Sequence, residues 1–520
     1  MSVAAPPSPI TLRVDASWAT FNRCPAPVRR AVERALSLPA LDGTKATLLE
    51  EIDGCLRFPA RLVRRVVDAS PLPINFVYTY TGPDMARWID RNRDIVDAWN
   101  LRGTYQLEGT TALLQRKGGI LHAAAGSGKT VMAARTVEAL LRAYDRPVRV
   151  LWLAQTREQV AQAEAALGLA GPQPGRYTPE ASLLERHQIS VRCWQGVEDP
   201  GDPDILVGDE IHSSSDSLHA IACRCPNAWW RIGLTATYVR TDKRELIMEA
   251  TFGERRAAVS QRRVITEGHL LPAQAILVGV GRRGDLKDEI HAAAVAYIEE
   301  KMVAHRRDIR GEHWARCLDV LRNWEEFQKN RRDFTADDER VDQECNRILY
   351  RYAREIGITA SNRRNAILAR ITRERLRTGE TVLVIVATKD QGRDLMQRIP
   401  GSRLVYSAMP VREGRREELI EAVRRGELQC LIATSLADQG LDLPRADVCV
   451  MAAGGKGGGE GYLVEQRAAR VQRTHDGKSL GVVIDTIDRG YSKLESQSKA
   501  RKRKYEEMRF SMQTIEGGDE

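Results

Sequence analysis

Residues 118–123 (GGILHA) form an apolar run that stops at Ala-Ala-Gly126-Ser127-Gly128-Lys129-Thr130, and an amphipathic stretch, VMAARTVEALL, follows at once. Strand, glycine turn and helix in that order make a phosphate cradle, because backbone N–H groups and the helix N-terminus then converge on one point. Gly126 and Gly128 permit the turn and the close backbone approach around Ser127. Lys129 is expected to reach the β and γ phosphates of ATP, and the Thr130 hydroxyl to bind Mg²⁺. The strict pattern opens with Gly where this chain has Ala123, and the core residues of the loop are intact.

A cradle of this kind needs a parallel sheet behind it, and the chain supplies one twice. Short apolar runs at 120–123, 148–154, 189–193, 205–207 and 231–234 alternate with amphipathic stretches, as buried parallel strands covered by helices do. The pattern lapses over 284–377, which is charged, poor in Gly and Pro, and apolar at helical spacing. It resumes from Thr381 with VLVIVA, LVYSAM, CLIAT, VCVMAA and GVVID. The fold class expected is α/β. A small N-terminal accessory domain (1–95) precedes a first α/β domain (96–278), a helical insertion (279–378), a second α/β domain (379–490) and a basic C-terminal helix and tail (491–520).

Two further motifs end apolar strands of the first domain, where α/β folds place ligand groups. DILVG delivers Asp209-Glu210-Ile211-His212, and WRIGLT leads into Leu234-Thr235-Ala236-Thr237. Asp209 is expected to hold Mg²⁺. Glu210, beside it, is expected to orient and deprotonate the attacking water, which takes a second carboxylate next to the metal-bound one.

GSGKT, DEIH and LTAT in this order resemble superfamily 2 helicases. The tract from LTATYVRTDKRE to HLLPAQAILV resembles most the branch that contains the xeroderma pigmentosum group B helicase and phage branch-migration helicases. The resemblance implies two tandem RecA-like domains, parallel sheets with helices on both faces, that close on ATP while gripping nucleic acid. It implies that His212 communicates with Thr235 and Thr237, and that Gln106, with Tyr105, helps seat the adenine. Gln155 and Thr156, and Trp194 with Gln195, fall where the family touches the nucleic-acid backbone. In the second domain, residues 433–444 resemble motif V, which implies roles for Gly440 and Asp442. Gln466-Arg467-Ala-Ala-Arg470-Val-Gln472-Arg473 resembles motif VI, which implies that Arg470 and Arg473 are arginine fingers, with Gln466 beside them. Ala469 stands where the family usually has Gly.

Charge narrows the partner. The chain has 79 basic and 70 acidic side chains, a net charge of +9, which permits a polyanion without requiring one. The run Lys499, Arg501, Lys502, Arg503 and Lys504 is either a solvated helix face or a phosphate contact. Trp229 and Trp230 suit core packing better than base stacking. The scattered cysteines, with only Cys223 and Cys225 close together, read as reduced thiols. There is no apolar run of membrane-spanning length and no secretion signal at the start, so an intracellular, membrane-free protein is expected. The expected partner is duplex or branched DNA, bound without sequence preference. RNA, or a scaffold role with protein partners on the N-terminal domain or the helical insertion, is the alternative.

Overall fold

The computed structural model describes residues 10–518 except 40–44, 80–81, 173–176, 214, 239–243, 282–285, 305–308, 332–333, 407–408, 410–415, 435–442 and 456–461. The chain divides into two compact units, Met1–Leu270 and Leu271–Glu520.

The first unit is built on a six-stranded, wholly parallel sheet. Its strand order is Gln188–Cys193, Arg149–Ala154, Ile205–Gly208, Trp230–Thr235, Gly119–Ala123, Arg255–Val259. The central strands are buried along their length, which is why they read as unbroken apolar runs. Register places Gly208 opposite Gly233, and Thr235 opposite His122. The P-loop, DEIH and the Thr-Ala-Thr segment therefore leave the sheet along one edge. Trp230 is fully buried and Trp229 packs half-buried on the same core, as packing rather than stacking requires. The edge strand Arg255–Val259 (RRAAV) is too weakly apolar to stand out in the sequence.

The N-terminal residues carry a five-stranded sheet of their own, in which Ile10–Val14 pairs in parallel with Ile74–Tyr78 and the other pairings are antiparallel. This sheet is not an independent body. Its core of Leu12, Phe21, Val32 and Phe58 is shared with Leu246, Ile247 and Ala250 of the helix Glu245–Phe252. The buried guanidinium of Arg231, on the central strand, donates to Ser17 Oγ at 2.9 Å.

The second unit is a seven-stranded parallel sheet in the order Arg403–Val405, Cys430–Ala433, Val382–Ile385, Val448–Met451, Gly481–Arg489, Ala273–Gly281, Ser511–Glu516. Two expected boundaries change as a result. The first domain does not run to 278, because Ala273–Gly281 hydrogen-bonds to Gly481–Arg489 and Ser511–Glu516. Residues 491–520 are not an appended helix and tail, because Ser511–Glu516 closes the sheet and the helix Ser492–Glu507 packs against it. A strand's sequence declares that it is a strand, but not which sheet it joins.

The helical insertion also divides. Leu286–Ala304, Ile309–Arg322, Trp324–Lys329 and Ala336–Arg354 surround their own core of Ile290, Ile298, Leu318, Ile348 and Leu349, which Leu494 completes. After a π-helical turn at Glu355–Thr359, the helix Asn362–Arg377 instead covers the sheet through Ile367, Leu368 and Ile371. No helix among the described residues is long and apolar enough to cross a membrane.

Candidate nucleotide site

The loop after Gly119–Ala123 turns through Gly126 and Gly128, at φ 81° and 84°, in the left-handed region that glycine enters without strain. The fifteen-residue helix Lys129–Ala143 begins at once, so its first N–H groups face the loop. Gln106 holds the loop from behind: its Nε2 donates to Ser127 O at 2.8 Å, and its Oε1 accepts from Arg102 N–H at 2.8 Å. A Cβ on Gly128 would stand 2.3 Å from Gln106 Nε2, so this contact requires glycine there. Tyr105 is buried beside Gln106, with its ring 5.9 Å from that of His269.

Asp209 and Glu210 follow the strand Ile205–Gly208. Glu210 has φ 47°, a conformation costing an L-residue roughly 1 kcal/mol. Asp209 Oδ1 accepts from Glu210 N–H at 2.9 Å, and Ile211 N–H donates to Leu234 O at 3.1 Å. Lys129 Nζ lies 3.6 Å from Glu210 Oε1, and His212 Nδ1 lies 3.3 Å from Glu210 Oε2. His212 Nδ1 is also 3.0 Å from Thr235 Oγ1. That hydroxyl already donates its only hydrogen to Thr237 O at 2.6 Å, and it accepts from Thr237 N–H. His212 therefore carries its proton on Nδ1 and is the donor.

The cluster is electrostatically incomplete. Burial raises the Asp209 carboxyl well above its ordinary range and the Glu210 charge raises it further, against the pull of Lys129. Burial also works to raise Glu210, but Lys129 and His212 outweigh it and hold that carboxyl below its usual value. Two buried carboxylates thus face one lysine. The hydroxyl of buried Ser127 has no hydrogen-bond partner among the described residues. An oxygen-preferring divalent cation and a phosphate would meet both deficits, so the residues present fit Mg²⁺ and ATP. Asp209 and half-buried Thr130 offer oxygen ligands to the metal, and Lys129, Ser127 and the glycine turn offer donors to phosphate.

Residues 99–240 match the family described as "Type III restriction enzyme, res subunit", and residues 363–475 match "Helicase conserved C-terminal domain". The chain is similar to superfamily 2 helicases. It is 22% identical over 436 residues to the DNA 3'-5' helicase XPB of Kineococcus radiotolerans, covering 79% of this chain and 66% of that protein. It is 24% identical over 390 residues to the DNA 3'-5' translocase XPB2 of Sulfurisphaera tokodaii, covering 74% and 81%. A putative helicase of Sulfolobus islandicus filamentous virus is 23% identical over 291 residues, covering 55% and 42%. The chain thus spans less than two thirds of the length of several curated relatives. The two matched regions correspond to two tandem RecA-like domains.

The other residues expected to act sit as follows. Gln155 Oε1 accepts from the hydroxyl of Ser213, just after DEIH, at 3.2 Å, so the segment after Arg149–Ala154 touches the loop that carries DEIH. Thr156 caps the helix Arg157–Leu167. Gly440 and Asp442 lie outside the described residues. Gln466 is on the helix Tyr462–Ala468, which ends before Arg470 and Arg473. Arg470 and Arg473 instead follow on tight turns, with Arg470 N–H donating to Arg467 O at 3.2 Å. Ala469 keeps an ordinary negative φ, so this backbone does not need the family's glycine. Arg470 is buried and Arg473 half-buried. Burial, with a contribution from the Arg473 charge, lowers the Lys478 ammonium to about 8 against the pull of Asp447.

The C-terminal basic run does not present one continuous face. Arg501 is buried: Nε donates to Asp485 Oδ2 at 2.9 Å, and Nη2 lies 3.4 Å from Asp488 Oδ2. Lys504 pairs with Glu465 at 3.3 Å and with Glu507 at 3.4 Å. Lys499, Lys502 and Arg503 remain exposed.

Proposed function

We propose that this chain hydrolyses Mg-ATP at the P-loop and uses the cycle to translocate on, and remodel, duplex or branched DNA. The incompletely neutralised cluster of Lys129, Asp209 and Glu210 supports this reading most strongly, because buried carboxylates without matching cations are the arrangement a metal–nucleotide complex completes. In this reading Lys129, Ser127, Gly126 and Gly128 bind the phosphates, and Thr130 and Asp209 hold Mg²⁺. Glu210 takes the proton of the attacking water. His212, as a donor to Thr235, relays the state of the γ-phosphate to the Thr-Ala-Thr segment. Gln106 steadies the loop from the adenine side. Arg470 and Arg473 neutralise charge as the phosphoryl group leaves, with Gln466 beside them on the preceding helix, and Gly440 and Asp442 help bind the nucleotide.

DNA rather than RNA is favoured by the XPB-type relatives, both of which are named for work on DNA. The exposed Lys499, Lys502 and Arg503 suit backbone contact without base reading. ATP turnover measured with one preparation against duplex, forked and single-stranded DNA and RNA tests the reading. Stimulation by duplex or forked DNA above RNA is expected. Stimulation by RNA alone makes the chain an RNA helicase, and turnover indifferent to nucleic acid makes it a scaffold.

A further inference from the structure

The two units are joined at one peptide bond, between Leu270 and Leu271, and the chain is held on both sides of it. In the first unit, Leu270 is buried in the core and its N–H donates to Val264 O at 3.3 Å. Its Cδ2 lies 3.0 Å from where a Cβ on Gly126 of the P-loop would be. In the second unit, Leu271 N–H donates to Gln472 O at 2.7 Å, and Gln472 Nε2 donates back to Leu271 O at 3.1 Å. Pro272 O then accepts from Gly481 N–H at 3.0 Å, and a Cβ on Gly481 would stand 2.3 Å from Val471 O.

Gln472 lies between Arg470 and Arg473 yet is fully buried. Burying an amide is costly unless it is bonded, and here backbone carbonyl and side-chain amide are both spent on one linker residue. A stretch of chain with no slack is where a change of orientation between two bodies must be absorbed, by the torsions of a few residues. We infer that Gln472 is a positioning residue that fixes the Arg470–Arg473 segment to the hinge, so that both arginines move with Leu271 whenever the units reorient during turnover. This rests on the proposed ATP hydrolysis.

The test is steady-state ATP turnover in Gln472→Met, which keeps the shape of the side chain but cannot donate to Leu271 O, beside wild type and Lys129→Ala. For Gln472→Met, kcat is expected to fall about tenfold, the worth of one buried hydrogen bond, with KM for ATP within about twofold of wild type. Gln472→Asn, which retains a donor amide, should recover part of the loss. A single Gly inserted between Leu270 and Leu271 leaves the Gln472 contacts in place but adds slack, and should lower kcat in the same way. It decides the matter should Gln472→Met fail to fold. Wild-type kcat in the folded Gln472→Met protein or in the insertion variant, or equal losses in kcat and nucleotide affinity, overturns the inference while Lys129→Ala is inactive. Turnover persisting in Lys129→Ala overturns the nucleotide-site reading itself, and this inference with it.

Discussion

A cluster of buried charged side chains in the first unit and one in the second are balanced differently. In the second unit Arg364 and Arg501 face Asp485 and Asp488. Arg364 donates to Asp488, Ala452 O and Thr486 Oγ1, and Arg501 donates to Asp485, Gly455 O and Thr486 O. Tyr505 donates to Asp485 at 2.9 Å. Burial alone would raise the Asp488 carboxyl, but the two guanidinium groups overcome it and hold it below its ordinary value. In the first unit Lys129 faces Asp209 and Glu210, His212 supports it against Glu210 only, and Asp209 is driven up. The two clusters thus differ in balance, and the first is also the less deeply buried. Two guanidinium groups against two carboxylates with their hydrogen bonds made hold the fold together, whereas the first cluster leaves Asp209 raised, as a cation-binding site would.

The sharpest break of this comparison is to remove one cation from each cluster. Lys129→Ala should abolish ATP turnover, a loss of about a thousandfold or more, because no other cation of the cluster reaches the phosphates. Melting temperature should change little, and a steady-state assay with a thermal melt reads both. Arg501→Met should do the reverse. Stripping one partner from a buried ion network costs about 3–5 kcal/mol, which denaturant unfolding of the intact chain will show as a lower midpoint for the second unit. Nucleotide binding by the first unit should survive.

Glu210→Gln sharpens the comparison within the first cluster. It retains shape and hydrogen bonding but removes the base, so turnover should slow about a hundredfold while nucleotide still binds. Single-turnover hydrolysis beside equilibrium binding separates the two effects, and loss of binding would make Glu210 structural. The smallest expected effect is in acid. Because the folded Asp488 carboxyl lies below its unfolded value, its stabilisation is complete above about pH 4 and fades as pH falls from there through the folded value. Melting temperatures between about pH 3 and 6 should drop more steeply in wild type than in Arg501→Met.

The first cluster was legible in the sequence and the second was not, for a physical reason. GSGKT and DEIH each follow an apolar strand, and parallel strands deliver their C-terminal ends to one edge, so local order predicts their meeting. Arg501, by contrast, sits in a run of basic residues whose charges look alike whether solvated or buried. The helix does mark the difference. Leu494, Ser498, Arg501, Tyr505 and Met508 recur at helical spacing and are all buried, whereas Lys499, Lys502 and Arg503 fall on the other face. Arg364, Asp485 and Asp488 are brought to Arg501 only by long-range packing, as Gln472 is to Leu271. The strands Ala273–Gly281 and Ser511–Glu516 were missed as members of the second sheet because pairing partners are not written in a strand's own pattern. Removing everything after Tyr491 would therefore unfold the second unit, not merely trim a DNA contact.

By this comparison nucleotide should depend on the unbalanced cluster and not on the balanced one. Titration of a fluorescent ATP analogue with Mg²⁺ into wild type, Lys129→Ala and Arg501→Met tests it most directly. The account predicts saturable binding to wild type, binding of the same affinity in Arg501→Met at a temperature where it remains folded, and none in Lys129→Ala. Binding that survives Lys129→Ala, or that disappears from folded Arg501→Met, would contradict it.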